Sequence, residues 1–284
     1  MPMPPELVLI GHLTQDLQPD GTLRLGGTIT YAALLAIHQG LRVGIVTSAP
    51  QADLDQLAAV IPEAEILAVP ATTPTIFENI YIGAHRRQFV RAQATLITPA
   101  DLPTEWLSAP LTLLGPIANE IAPGVAAEFS GLHRAATPQG WLRAWDATGL
   151  VTPIPWASAD LVLPHLTALI LSVEDLAIAS GTSDGMALLQ RWAAQVPFVV
   201  LTDGPHGATL WVDGTSQHIP AFPIAEVDPT GAGDCFATAF LIALWRRGDP
   251  VAAVRYAHAA ASCVVQAPGI TGIPFPDEIN QILR

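Results

Sequence analysis

The stretch that most constrains this chain is Asp228-Pro229-Thr230-Gly231-Ala232-Gly233-Asp234, followed at once by an apolar run from Cys235 to Leu244. Phe236, Phe240, Leu241 and Leu244 recur at helical spacing, Arg246 and Arg247 fall in the last turn, and Gly248 is a C-terminal stop. The spacing therefore predicts a helix that starts at the glycine turn. Two glycines separated by one small residue let backbone N–H groups approach an anion, because no Cβ stands in the way. A helix N-terminus adds unpaired N–H groups and a partial positive charge. Such a turn suits a phosphate or a developing oxyanion, and Asp234 in the first turn is placed to take a proton from a hydroxyl group. The plain structural alternative is that Asp234 only complements the helix dipole and the glycines only make a tight turn.

The rest of the chain alternates short apolar runs with helical patterns. Residues 7–10 read as a buried strand ending at Gly11, with Asp16 a few residues on, where acids line the ligand crevice of an open α/β sheet. Gly26-Gly27 opens a helix over 28–39 and permits close backbone approach to a ligand. Strands are expected at 42–47, 111–114, 141–145, 168–171 and 197–202, with helices at 53–61, from about Pro123, and from Ser172 to Gly181. A hairpin over 208–219, the focal helix, a helix over 250–266 and a short terminal helix complete the chain. This alternation implies a mostly parallel sheet covered on both faces. Residues 72–95 break the rhythm: 75–82 and 87–91 read as two strands joined by Gly83-Ala84-His85-Arg86, a hairpin suited to a lid or a contact surface. Residues 1–284 read as one domain with that hairpin inserted.

Composition excludes more than it proves. All twelve basic residues are arginine and there is no lysine, so a Walker A loop, a protein-kinase strand lysine and Schiff-base chemistry are ruled out. The net charge of −13 argues against nucleic acid and anionic membrane as partners. No apolar run approaches the roughly 18 residues of a membrane span. The N-terminus carries no basic region or signal-peptide core, so cytoplasmic residence is expected. Cys235 and Cys263 form no disulfide framework, and the eight histidines lack metal-ligand spacing. Gly181-Thr182-Ser183-Asp184-Gly185 matches a hydrolase elbow but follows a helix instead of a strand, so Ser183 reads as an N-cap. A dinucleotide fingerprint would need a third glycine where Phe236 stands. A purely binding or structural protein stays open at this point.

The Asp228, Thr230 to Gly233 and Asp234 pattern resembles the signature of the ribokinase-like, or PfkB-type, carbohydrate kinases. Gly26-Gly27 is similar to that family's early glycine pair, and Thr202, Gly204 and Gly207 to its nucleotide-loop pattern. The resemblance covers nearly the whole chain and implies a three-layer α/β sandwich with a mostly parallel central sheet and a small β lid. It implies an ATP- and Mg²⁺-dependent phosphotransferase acting on a hydroxyl of a small polyol, sugar or nucleoside. Asp234 would be the general base, and Gly231, Ala232 and Gly233 the anion hole. Asp16, Gly26, Gly27, Tyr31 and the lid residue Arg87 would meet the acceptor. Ser172, Thr202, Gly204, Gly207, Gly231, Gly233 and His258 would meet ATP. Asp175 would hold the metal through water, Arg87 or Arg91 would supply a lid cation, and the hairpin would serve a homodimer. The family's Asn-x-x-Glu motif stands here as Ser172-Val173-Glu174-Asp175, Tyr31 replaces an Asn of the substrate helix, and His258 an Asn beside the adenine. Gly115 to Glu120, Gln139 to Arg143 and Leu163-Pro164 are similar to plant-type myo-inositol kinases, which favours a cyclic polyol. The departures motivate two alternatives, a nucleoside kinase and a sensor that has lost catalysis.

Overall fold

The computed structural model describes residues 3–82, 85–181 and 183–284. Strands β1 (Leu7–Ile10), β2 (Thr14–Leu17) and β3 (Leu23–Gly26) lead into helix α1 (Thr28–His38), then β4 (Val43–Ala49), α2 (Gln51–Val60) and β5 (Glu65–Pro70). Next come β6 (Thr75–Ile82), β7 (His85–Ala92), β8 (Leu111–Leu114), α3 (Val125–Glu128) and β9 (His133–Ala136). The short pair β10 (Arg143–Trp145) and β11 (Val151–Pro153) precedes α4 (Ala159–Val162), β12 (Ala168–Ser172), α5 (Val173–Ser180) and α6 (Gly185–Ala193). Strands β13 (Phe198–Thr202), β14 (Ala208–Val212) and β15 (Thr215–Ile219) are followed by α7 (Ala232–Arg247), α8 (Pro250–Val264) and α9 (Pro276–Leu283).

Nine strands form one sheet in the order β15-β14-β13-β12-β9-β8-β1-β4-β5. It is parallel from β13 to β5, and β14 and β15 add an antiparallel edge. Every residue of β1, β4 and β8 is buried, which is why these strands read as continuous apolar runs. Alternate residues serve opposite faces: Leu7 and Leu9 join one core with α1, α7 and α8, whereas Val8 and Ile10 join the other with Trp141, Trp156 and Trp192. The architecture is thus the ribokinase-like α/β sandwich expected.

Helix α7 is buried without a break from Cys235 to Leu244, since the sheet and helices α1 and α8 surround it. One residue helps lock the three helices together. The Gln39 carbonyl accepts from Arg246 at 2.6 Å, and the Gln39 side-chain oxygen accepts from the Tyr256 hydroxyl at 2.5 Å.

A second sheet, β3-β2-β6-β7, stands over one edge of the cleft. The lid is therefore four-stranded, with the expected hairpin supplying two strands and the unpredicted β2 and β3 the others. Asp16 lies inside β2, paired with Arg24 and Phe77, and not in a turn beyond a strand. Buried His12 ties this sheet's base to the core, bonding Thr75 Oγ1 at 2.7 Å and the Thr95 carbonyl at 2.8 Å. The Val90 N–H reaches the Gly149 carbonyl at 2.8 Å, which joins the hairpin to the β10–β11 loop. The expected turn at Gly83-Ala84 lies outside the described residues, as does Thr182.

Three local expectations are corrected. Residues 138–142 form a 3₁₀ turn, with strand only from Arg143, because Pro138 starts a tight turn and Gly140 presses against the backbone. The N-cap of α6 is Asp184, whose carboxylate accepts from the N–H groups of Met186 and Ala187, and not Ser183. The helix after Pro123 is a single turn from Val125. Among the described residues no helix is long and apolar enough to cross a membrane.

Because Phe240 is fully buried in α7, Phe240→Ala is expected to lower the unfolding free energy by about 3–5 kcal/mol, read from urea denaturation.

Candidate active site

The glycine turn ends the connection from β15 and begins α7. Gly231 is the N-cap, in the left-handed conformation at φ 79°. A Cβ there would sit 2.1 Å from the Tyr31 ring, so the turn needs glycine both for its backbone and for its contact. Asp228 holds the turn from behind: its carboxylate accepts from the Thr230 N–H at 3.0 Å and from the Gly269 N–H at 3.0 Å. Burial works against its charged form, but the bonds from Thr230 and Gly269 outweigh it and lower its pKa. The first acid of the motif is thus a fastening.

Asp234 has a different setting. It lines a cavity of about 480 Å³ together with Gly233, Thr28, Ser172, Asp175, Thr202 and Gly204. Its side chain is half-buried and opens to that cavity. Desolvation pushes its carboxyl up to about 6, against the Thr28 hydroxyl and the positive charge of Arg143, which both favour ionisation. Tyr31, whose own pKa burial raises and the Asp234 charge raises further, covers the turn as a neutral phenol. The first turn of α7 leaves the Gly233 and Asp234 N–H groups without intrahelical acceptors. The Ala232 N–H already bonds the Pro229 carbonyl at 3.2 Å, so it closes the turn. Gly233 is exposed, with open space where a Cβ would stand.

On the opposite wall, Ser172 caps α5. Its hydroxyl accepts from the Asp175 N–H at 3.0 Å, and the Asp175 carboxylate accepts from the Ser172 N–H at 3.0 Å. Asp175 is therefore engaged in a capping box. Glu174 beside it has an exposed carboxylate on the same cavity, one position before the place where the motif has its acid. Thr202 donates to the Leu171 carbonyl at 3.3 Å, and Asp203, Gly204 and His206 form the cavity's outer lip. Gly207 lies behind this lip, its missing Cβ making room for the Ile219 carbonyl. His258 stays apart from the cavity: it is 5 % exposed on α8, packs edge-on to Phe236, and bonds the Ile219 carbonyl. Burial brings its pKa down to about 4, so it is a neutral packing residue at pH 7.

The residues expected to meet the acceptor are placed as follows. Gly26 lacks a Cβ where the Asp16 carboxylate packs, and Gly27, at φ 93°, starts α1 against the His12 carbonyl. Asp16 is raised by desolvation and lowered by Arg24, its cross-strand partner. Arg87 lines a second cavity of about 310 Å³ that shares Gln139, Glu174 and Asp175 with the first. Arg91 is held elsewhere, bonded to Glu78 at 2.6 Å and stacked over Phe89. Arg24 and Arg143 were not singled out from the sequence, because only the folded chain brings them toward Asp16 and Asp234.

Among the described residues no group of three or more His, Cys, Asp or Glu could cage a metal. Glu174 and Asp175 on a cavity wall nevertheless fit Mg²⁺ held through water and phosphates, the mode this ion favours. The open Gly233, on the same cavity as Ser172, Thr202 and Gly204, fits a nucleotide phosphate chain.

An Asp234 carboxyl with a raised pKa costs stability when ionised. The cost is absent below the unfolded value near 4 and fully present above about 6. Asp234→Asn is therefore expected to stabilise the fold by about 1–2 kcal/mol at pH 7.5 and by little at pH 4, measured by denaturation at both pH values.

Known proteins place this geometry. The pfkB family carbohydrate kinase profile matches residues 150–277, the part that carries the α5 cap, the cavity lip at Asp203, Gly204 and His206, and the α7 turn. A cytidine kinase from Thermococcus kodakarensis is 28% identical over 270 residues, covering 87% of this chain and 90% of that protein. An inositol 3-kinase from Zea mays is 30% identical over 152 residues, 52% of this chain and 37% of that protein. Among solved structures, a pyrophosphate-dependent kinase in the ribokinase family, complexed with a pyrophosphate analog and myo-inositol, matches with a TM-score of 0.82 at 19% identity. It covers 97% of this chain and 99% of that one. The Arabidopsis thaliana ribokinase complexed with ribose and ATP gives 0.76 at 20% identity, covering 99% of both chains. The profile falls on the acid, glycine turn and helix from which the cavity is built, and the fold matches run from end to end: the chain is a kinase on a ribokinase-like fold, and its residues 150–277 match the pfkB family of carbohydrate kinases.

Proposed function

We propose that this kinase transfers the terminal phosphoryl group of ATP to a hydroxyl of a small polyol or sugar, with a myo-inositol-like acceptor favoured and Asp234 as the general base. The observation that carries the reading is the desolvated Asp234 carboxyl, which opens to the same cavity as Gly233 and the Ser172, Thr202 and Gly204 wall. With a pKa of about 6, the group is ionised at neutral pH and basic enough to accept a proton as the hydroxyl attacks. The Gly233 and Asp234 N–H groups face the oxygens of the group in flight, where charge builds up. Glu174 and Asp175 would hold the hydrated Mg²⁺ of the donor, and the ion would supply charge neutralisation at the phosphates. Asp16, Gly26 and Gly27 set the acceptor's position against Asp234, under the cover of β2, β3, β6 and β7.

The polyol preference rests on the myo-inositol named with the structural match and on the inositol 3-kinase. A nucleoside acceptor is the second reading, favoured by the cytidine kinase that matches along 90% of its length. A panel of inositols, pentoses, hexoses and nucleosides, assayed by product formation with ATP or pyrophosphate and with or without Mg²⁺, decides between them. Turnover of a cyclic polyol with ATP and Mg²⁺ is expected. Turnover of nucleosides alone overturns the acceptor assignment, turnover with pyrophosphate alone overturns the donor, and tight binding without turnover supports a sensor.

Asp234→Asn is expected to lower kcat by about 10² to 10⁴ while the nucleotide still binds, measured by steady-state kinetics and calorimetry. The kcat/KM of the unaltered enzyme should fall as pH drops below about 6, where Asp234 takes up its proton. Unchanged turnover in the Asn variant removes Asp234 from the mechanism.

A further inference from the structure

Helix α1 meets the start of α7 through Thr28 and Tyr31, which stand three residues apart and so lie side by side on one helical face. Both are almost fully buried, at 5 % and 4 % exposure. The Tyr31 ring lies against Gly231, where a Cβ would come within 2.1 Å of its Cδ1 and 2.3 Å of its Cε1. The Tyr31 carbonyl accepts from the Cys235 thiol at 3.8 Å. Tyr31 therefore touches the beginning of α7 on both sides of Asp234.

Thr28 lines the same cavity as Gly233 and Asp234, and its hydroxyl bonds the Asp234 carboxyl. Its methyl group is seated elsewhere. A Cβ on Gly115 would lie 2.4 Å from Thr28 Cγ2 but 3.6 Å from Thr28 Oγ1, so glycine at 115 makes room for the methyl, and the hydroxyl is the branch turned away from this contact. A seated methyl fixes χ1 and with it the direction of the hydroxyl. Gly115 is itself held: its N–H donates to the Ile10 carbonyl at 2.9 Å, at the end of β1. Just beyond it, buried Glu120 accepts from the N–H groups of Ile117 at 2.9 Å, Ala118 at 2.6 Å and His12 at 3.1 Å. The first turn of α1 is fastened as well, since the Thr30 hydroxyl donates to the Gly26 carbonyl at 2.8 Å.

We propose that Thr28 and Tyr31 are positioning residues for the transfer step: Thr28, seated against Gly115, orients the Asp234 carboxylate through its hydroxyl, and Tyr31 holds the Gly231 turn whose following N–H groups meet the phosphoryl group. Both act from one face of α1, so the helix that begins at Gly26-Gly27 sets the base and the anion-binding turn together. Orientation of this kind governs rate more than binding, because a displacement of about 1 Å at reacting groups costs about 10²-fold.

The inference rests on the reading of Asp234 as the base, and the variants separate the two. With ATP, Mg²⁺ and myo-inositol, or the acceptor that the panel identifies in its place, kcat and both KM values are measured and kcat is scaled to the folded fraction from urea denaturation. Thr28→Val keeps a methyl for the Gly115 contact and removes the hydroxyl, so kcat is expected to fall about 10-fold or more with both KM values within about twofold. Thr28→Ser keeps the hydroxyl and loses the seated methyl, and falls between Thr28→Val and the unaltered enzyme. Gly115→Ala displaces Thr28 through its methyl and is expected to lower kcat about 10-fold, and Thr28→Ser in that background, which removes the clashing methyl, should recover about 3-fold or more. Tyr31→Phe keeps the ring and is expected to stay within about twofold, whereas Tyr31→Leu loses about 10-fold in kcat. In an Asp234→Asn background Thr28→Val should add little further loss. An unchanged kcat in Thr28→Val, a loss confined to KM, a Gly115→Ala defect that Thr28→Ser leaves in full, or a full further loss in the Asp234→Asn background overturns the role of Thr28. A Tyr31→Phe enzyme as slow as Tyr31→Leu overturns that of Tyr31. If Tyr31→Leu fails to fold, Tyr31→Met takes its place, and if Gly115→Ala fails, Thr28→Val against Thr28→Ser decides. Full turnover in Asp234→Asn alone sinks the base assignment and the role of Thr28 with it, while the Tyr31 pair still reads the turn.

Discussion

The structure depends on a buried helix beginning inside a polar cavity. Helix α7 can keep an unbroken apolar run from Cys235 to Leu244 because the sheet, α1 and α8 enclose it. Its N-terminus then has to come to the surface of the cleft, and the chain gets there through the left-handed Gly231 under the Tyr31 ring. The same packing that stabilises the helix therefore strips water from Asp234, the first side chain with an acid in that turn. A carboxyl that would be an unremarkable surface group elsewhere becomes a desolvated one, raised to about 6 and facing a cavity. Stability and reactivity are in tension at this residue, and α7's hydrophobic packing bears the cost.

The remainder of the site surrounds that carboxyl with parts that do not move independently. Asp228 fastens the turn to Gly269, the Ser172 and Asp175 capping box fixes the start of α5, and Glu120 gathers the N–H groups of His12, Ile117 and Ala118. Several acids in a chain of net charge −13 are thus committed to holding backbone. The separation matters for function, because a cleft full of uncommitted carboxylates would repel a phosphorylated donor. Lacking lysine, the chain has only arginine as a permanent cation, and Arg24 and Arg143 are the cations that act on Asp16 and Asp234.

Much of this was legible in the sequence where local chemistry decides it. The glycine turn, the α7 start, the start of α5 at Ser172 and the 208–219 hairpin follow from short-range signals, and continuous apolar runs marked β1, β4, β8, β12 and β13; β9 (His133–Ala136) and the edge strand β5 were not read, because neither is a continuous apolar run. Strands β2 and β3 were not legible, because Thr14–Leu17 and Leu23–Gly26 are short and partly polar and become strands only by pairing with one another and with β6. Strand-like aromatics at 141–145 misled for a similar reason, since Trp141 is anchored by the Ile121 carbonyl within a turn. His258, placed by resemblance beside the nucleotide, is instead packed against Phe236, and Glu174 is the exposed acid on the wall assigned to Asp175. Arg143 could not have been found from pattern alone, because it stands far from Asp234 in the sequence and only the fold brings its charge to act on that carboxyl.

The central claim is that Asp234 meets the hydroxyl that is phosphorylated. It is tested most directly by a crystal structure of the protein with a non-hydrolysable ATP analogue, Mg²⁺ and the best acceptor from the panel. The account predicts one acceptor hydroxyl within about 3 Å of the Asp234 carboxylate and in line with the terminal phosphate near the Gly233 N–H. An acceptor bound with no hydroxyl near Asp234, or a donor whose terminal phosphate lies away from the α7 turn, would contradict it.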